Sequence, residues 1–215
     1  MKLLGCCDAR NPIGLRDRAI LLLLLDTGIR VGELVKLELS DLDLAEQRLR
    51  VMHGKGNKRR VVAFGDDCKK ALLRYLQGRG LSPGRLFFAA GGHRNLRPDS
   101  SLQPNAVKQM LRRLGRQTGI PKVHAHRFRH TFATWAIEQG ARELDVQYLL
   151  GHSTPDMGRR YSAPYNSEQA ACAHAAFSPA DRLSAVPASS PGTSARRAGS
   201  SSGLRFRRPS GPARG

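Results

Sequence analysis

Ala19 to Leu25 is an unbroken apolar run, AILLLLL, inside a stretch from Leu15 to Leu25 interrupted only by Arg16, Asp17 and Arg18. Wound as a helix, it is apolar on nearly every side, and such a helix is stable only when other elements cover it all round. It falls well short of the roughly 18 residues that cross a bilayer and stops at Asp26, so it predicts the central helix of a buried core. The stop is Asp26-Thr27-Gly28, where glycine suits the left-handed residue that ends a helix. Arg30 to Leu37 then reads as a short resumed helix with Leu34 and Leu37 inward. That leaves Arg30 beside a helix N-terminus, where backbone N–H groups favour a phosphate. A surface ion pair with Glu33 is the plainer use of the same side chain.

The material around this helix reads as mixed, mainly α, with a small antiparallel β-sheet or hairpin. Arg48 to His53 and Arg60 to Phe64 have strand character, with Leu49, Val51, Val61, Val62 and Phe64 as apolar members. The glycines and asparagine of His53-Gly-Lys-Gly-Asn-Lys-Arg59 tolerate positive φ, which makes this loop a hairpin with a basic tip. Asp66 to Gln77 is an amphipathic helix with an acidic first turn, ended by Gly78. Gly91 to Pro98 is expected to be a second basic loop. Pro104 to Gln117 is a helix with Val107, Met110, Leu111 and Leu114 on one side and Lys108, Arg112, Arg113 and Arg116 elsewhere. His126 to Gln139 is a helix with Phe128, Phe132 and Trp135 or Ile137 inward, ended by Gly140. Glu143 to Leu150 is another, closed by Gly151, and Pro164 to Ala176 has a helical period.

A chain of 215 residues is long enough for one well-buried domain with material left over. Its formal net charge of +19 favours a polyanionic partner, nucleic acid above all. No apolar stretch spans a membrane and MKLLGCCDAR lacks a secretory signal, so a cytoplasmic protein with reduced thiols at Cys6, Cys7, Cys68 and Cys172 is expected. From residue 178 to 215, Ser, Pro, Gly, Ala and Arg dominate. So little apolar side chain predicts a disordered basic tail.

Val123 to Tyr161 holds the chemistry. His126-x-x-Arg129-His130 is followed by Gly151-His152 and, nine residues on, by Tyr161. The basic groups suit an anionic substrate, and the tyrosine hydroxyl could attack one. His126 and Arg129 are three apart and share a helix face, a spacing that lets two groups converge on one phosphate. His124, His126 and His130 also raise a metal site, but no carboxylate or cysteine lies near to complete it, and no metal or other cofactor is expected.

With Thr27-Gly28-Ile29-Arg30-Val31-Gly32-Glu33-Leu34 and Gly54-Lys55-Gly56-Asn57-Lys58-Arg59 upstream, these motifs resemble the tyrosine recombinases, the phage integrase family. The resemblance covers roughly Asp17 to Tyr161 and implies the catalytic-domain fold of that family, over residues 15–177. It implies site-specific cutting and rejoining of double-stranded DNA, by a tetramer on two duplexes. Tyr161 would attack the scissile phosphate and form a 3′-phosphotyrosyl link. Arg30 and Arg129 would clamp the nonbridging oxygens, which suits the planar, permanently charged guanidinium fork. Lys55 would protonate the leaving 5′-oxygen, His126 would assist proton transfer and His152 would hydrogen-bond the phosphate. Glu33 and His130 would support these groups, and Lys58, Arg59 and Arg60 would bind DNA.

The chain departs from the pattern in two places. Residues 1–14 resemble the linker before the catalytic domain, so the helical arm that usually precedes it is expected to be missing. Asp156-Met-Gly-Arg-Arg160 replaces a common Thr-Thr-containing turn, and Gly158 should loosen the presentation of Tyr161. Two other readings stay open: a truncated remnant that binds DNA without recombining it, and a type IB topoisomerase with the same chemistry.

Overall fold

In the computed structural model, which describes residues 2–52, 59–151 and 171–185, the chain is organised about the helix expected at its centre. After a short α1 (Lys2–Gly5), Asn11 caps α2 (Pro12–Thr27) by accepting the Gly14 N–H at 2.8 Å, and Pro12 occupies the first turn, where its missing N–H costs nothing. Ala19 to Leu24 are all buried. Each large aliphatic side chain in that run contributes roughly 1.5–3 kcal/mol by leaving water. Arg16 and Asp17, the charged pair that opens the run, are buried too. They bond to each other, Arg16 donates to the Phe88 carbonyl, and Asp17 accepts from Arg113.

The cover comes from both later halves of the chain. A three-stranded antiparallel sheet has the order β1 (Leu42–Asp43), β2 (Arg48–Met52), β3 (Arg59–Ala63), with Leu49 opposite Val62 and Val51 opposite Arg60. Helix α4 (Asp66–Arg79) packs along α2. It runs past Gly78, the expected terminus, and ends at Gly80, whose N–H reaches the Leu76 carbonyl. The extension is held by Arg79, which donates to the carbonyls of Gly80, Ser82 and Leu86 and lies 4.4 Å over the Phe88 ring. Of the segment expected as a basic loop, Gly91 to Asn95 is a turn, whereas Leu96 to Pro98 belong to a strand. β4 (Phe88–Ala90) pairs antiparallel with β5 (Leu96–Ser101), with a register shift at Phe88/Ala89. Pro98 is accommodated because this ribbon has only two strands.

Helices α5 (Pro104–Thr118), α6 (Ala125–Glu138) and α7 (Glu143–Leu150) follow. Val107, Met110, Leu111 and Leu114 face inward from α5 as expected. In α6 the inward face is Arg129, Phe132 and Ala136, one stripe at helical spacing, whereas Trp135 and Ile137 are exposed at 37% and 44%. The ordered chain also continues beyond 177. Residues 174–176 form a 3₁₀ turn and α8 (Pro179–Ala185) packs on α4, with Phe177 and Ala180 buried.

What fastens this last segment is Asp26, fully buried at the end of α2. Its carboxylate accepts from the Ser178 hydroxyl at 2.7 Å and from the backbone N–H groups of Gly65 and Ala180. Buried His174 stands 3.4 Å from the same carboxylate and bonds the Asp26 carbonyl at 2.7 Å. Among the described residues no helix is long and apolar enough to cross a membrane.

Candidate functional site

Three chain ends meet beside the core: the C-terminus of α2, the N-terminus of α3 (Val31–Leu34) and the C-terminus of α7. Gly28 ends α2 in the left-handed region at φ +60°, its N–H on the Leu24 carbonyl at 3.1 Å. A side chain there would strike Leu150 and Phe132, since an added Cβ would lie 2.7 and 2.9 Å from their nearest carbons. Glycine is therefore required twice, by conformation and by space. Ile29 is buried next, which fixes Arg30 as the residue that opens α3.

Arg30 makes the ion pair with Glu33 that was its plainer reading, and its side chain also reaches the surface. Its backbone N–H donates to Glu33 Oε2 at 2.8 Å and its Nη1 to Oε1 at 3.2 Å, yet its side chain remains 43% exposed. Glu33 is buried, and its second partner is Arg60, which meets the carboxylate with two parallel bonds of 3.0 and 2.8 Å. Burial would raise the Glu33 carboxyl. The Arg60 hydrogen bonds and charge, with the Arg30 N–H and charge, outweigh it and hold the group down at about 2.

Arg129 comes to the same place from α6. Only 8% exposed, it donates from Nη1 to the Gly28 carbonyl at 2.8 Å and from Nη2 to the Leu150 carbonyl at 2.7 Å. Arg60 Nε donates to the neighbouring Leu149 carbonyl at 2.8 Å. Carbonyls at the end of a helix have no intrahelical donor, and here two guanidinium groups supply it. Gly151, at φ +66°, closes α7 directly beside them, with an added Cβ 3.1 Å from Arg60 Nη1. Burial first, then the neighbouring charges of Arg30 and Arg60, lower Arg129 to about 10, with Glu33 opposing. Arg129 thus stays charged at neutral pH in a position crowded with positive charge, which an anion would relieve.

The remaining expected residues divide by location. His126 is exposed on the first turn of α6, three residues before Arg129. His130 is exposed, its Nδ1 3.3 Å from Thr134 Oγ1, and His124 caps α6 by accepting the Arg127 N–H. Arg59 is exposed at the start of β3. Lys55, Lys58, His152 and Tyr161 lie outside the described residues, as does the turn containing Gly158.

Arg60 was expected on the DNA surface and is instead buried, because alternation along β3 puts it on the same face as Val62. That two-residue period is the signal that could have identified it. An open cleft of about 540 Å³ lies against Arg30 and Glu33, bordered by Lys36, Met52, Arg85 and Gln103.

A sequence model of the phage integrase family matches residues 1–168. The chain belongs to the phage integrase family. Tyrosine recombinase XerC of Staphylococcus carnosus is 39% identical over 166 residues, which are 75% of this chain and 53% of that protein. The crystal structure of XerA recombinase is 32% identical and superposes with a TM-score of 0.61, over 80% of this chain and 60% of that one. XerH site-specific recombinase bound to difH substrate, in a pre-cleavage complex, is 25% identical with a TM-score of 0.55, over 79% of this chain and 49% of that one. The chain spans about half the length of the curated relatives it matches. The mainly helical architecture with small antiparallel sheets is that of the integrase-family catalytic domain, as the motifs implied.

Proposed function

We propose that this chain is the catalytic part of a site-specific recombinase that cuts and rejoins double-stranded DNA through a covalent tyrosine intermediate. The observation that carries the reading is the convergence of Arg30 and Arg129 beside a carboxylate already matched by Arg60. This is a rigid, cation-rich site in need of an anion, on a chain of net charge +19.

In this reading the Tyr161 hydroxyl oxygen attacks the scissile phosphorus and loses its proton. The P–O5′ bond breaks, the phosphate stays on Tyr161 as a 3′-phosphotyrosyl ester, and Lys55 gives a proton to the departing 5′-oxygen. Arg30 and Arg129 hold the nonbridging oxygens, where preorganised donors act on charge that grows toward the transition state. His152 hydrogen-bonds the same phosphate and His126 assists the proton movement. A free tyrosine has a pKa near 10, so the surrounding positive field is what makes it a competent nucleophile. Attack by a 5′-hydroxyl of a second strand reverses the step and rejoins DNA, with the bond energy kept in the ester. Neither ATP nor a metal enters the balance.

The partner is a DNA duplex, approached from the side of the cleft beside Arg30, with Arg59 and Lys58 on its backbone. A tetramer on two duplexes is the assembly that exchange between strands requires. The catalytic unit is proposed to run from residue 15 through α8, and its work to take place in the cytoplasm, where the DNA is.

The test is a nicked suicide duplex that loses a short fragment after cleavage and so cannot be religated. The expected product is a protein–DNA adduct that survives denaturation and is joined to the 3′ side of the break. A free 3′-phosphate with no adduct would replace the tyrosine mechanism by hydrolysis.

A further inference from the structure

The geometry around Arg60 gives it a task other than touching DNA. It is the second residue of β3, opposite Val51 on β2, in the strand that follows Lys55 in sequence. Its buried guanidinium joins that strand to Glu33 of α3 through two bonds and to the last turn of α7 through Leu149. Each of the three segments leads directly to a residue assigned to the chemistry: Lys55, Arg30 and His152.

The two arginines on Glu33 are held unequally. Arg60 is buried and bidentate, the strongest arrangement for a guanidinium on a carboxylate. The Arg30 guanidinium meets the same carboxylate from Nη1 at 3.2 Å and is 43% exposed. A buried carboxylate that loses its main partner draws the nearest remaining cation, because an uncompensated buried charge is strongly unfavourable. Among the described residues, the other cation on this carboxylate is Arg30.

We propose that Arg60 is a positioning residue. By satisfying Glu33 and the end of α7, it keeps the Arg30 guanidinium turned outward to the scissile phosphate, without contacting DNA itself. This rests on the reading of Arg30 as a phosphate ligand.

The test is a cycle of Arg30→Ala, Arg60→Gln and the double variant, read as the dependence of duplex affinity on salt. Losing one phosphate contact lowers the slope of log K against log[salt] by about 0.9. Each single variant is expected to lose that amount and the double variant no more, since Arg60 acts through Arg30. A double variant that loses about twice as much would mean that Arg60 grips a phosphate directly and would overturn the proposal. An unchanged slope in Arg60→Gln would overturn it as well.

Adding Glu33→Gln to Arg60→Gln removes the competing carboxylate. The slope and the cleavage rate are then expected to rise above those of Arg60→Gln alone, a rescue that damaged folding does not produce. If Arg60→Gln gives no cooperative melt, Arg60→Lys, which keeps the charge and loses the fork, carries the same cycle. Because the cycle is read in binding, a chain that binds duplex but forms no adduct would defeat the recombinase reading and still decide this one.

Discussion

Replacing Gly28 by alanine is expected to damage stability and chemistry together, and both effects follow from the joint between α2 and α3. The left-handed conformation at φ +60° costs an alanine roughly 1–2 kcal/mol. The new methyl would lie 2.7 Å from Leu150 Cδ2 and 2.9 Å from Phe132 Cδ1, and overpacking of that kind typically costs about 1–3 kcal/mol. The sum is about 2–5 kcal/mol, a large part of the roughly 5–15 kcal/mol that holds a domain together. At about 2–4 °C per kcal/mol for a domain of this size, the melting temperature should fall by about 4–20 °C. The displaced partners, Leu150 and Phe132, flank Arg129, and the Gly28 carbonyl itself holds Arg129 Nη1. Adduct formation should therefore fall about tenfold or more even well below the melt, since small misplacements of a phosphate clamp are expensive. The assay is thermal unfolding by circular dichroism, paired with single-turnover cleavage of the suicide duplex at low temperature. Gly32→Ala is the control for unfolding. It has nothing within 4 Å of an added Cβ and lies in a helix, so its melting temperature should stay level or rise. A Gly28→Ala chain that melts within about 1 °C of the original would refute the packing argument at its root.

Three further outcomes follow. Arg129→Ala should slow adduct formation by about 10²–10³, the scale for one preorganised donor, and Arg129→Lys should recover only part, since lysine cannot span two sites as the fork does; full activity in the lysine variant would contradict the clamp. Cleavage should proceed in excess EDTA, and activity that vanished with chelator and returned with zinc would bring back a histidine metal site on α6. For His174, burial lowers its pKa, but Asp26 and then Asp181 outweigh this and raise it above the ordinary 6.5. Its contribution to stability is then complete below about 6.5 and lost as pH rises through the folded value. The melting difference between the original chain and His174→Gln should be widest in mild acid and narrow as pH rises through the folded value; a gap that stays constant would contradict the Asp26–His174 pairing.

Much of this architecture was legible because the relevant signals are local. The all-round apolar run could only be a buried helix, Gly28 is the left-handed stop it was read as, and Gly151, read as closing its helix, is left-handed too. The misjudged elements were decided by single side chains reaching distant backbone. Arg79 lengthened α4 past Gly78 by hooking four carbonyls, and no helix-ending rule contains that information. Trp135 or Ile137 was placed inward, whereas the buried stripe Arg129, Phe132 and Ala136 includes a charge that a hydrophobic pattern discards. The segment from Ser178 was judged on the composition of everything after it. Locally it reads Ser-Pro-Ala-Asp, a capped helix start, and the Asp181 N–H does donate to the Ser178 hydroxyl at 3.4 Å. In the site, Arg30 and Arg129 were legible from their motifs. The reciprocal use of Glu33 by Arg30 and Arg60 was not, because it joins residues 27 positions apart.

The central claim is that one hydroxyl, that of Tyr161, forms the bond to DNA. The direct measurement is peptide mapping of the adduct trapped on the suicide duplex, alongside the same reaction with Tyr161→Phe. A single nucleotide-bearing peptide containing Tyr161, and no adduct from the phenylalanine variant at unchanged duplex affinity, is the result expected. An adduct that persists in Tyr161→Phe, or maps to Tyr165, would remove Tyr161 from the mechanism.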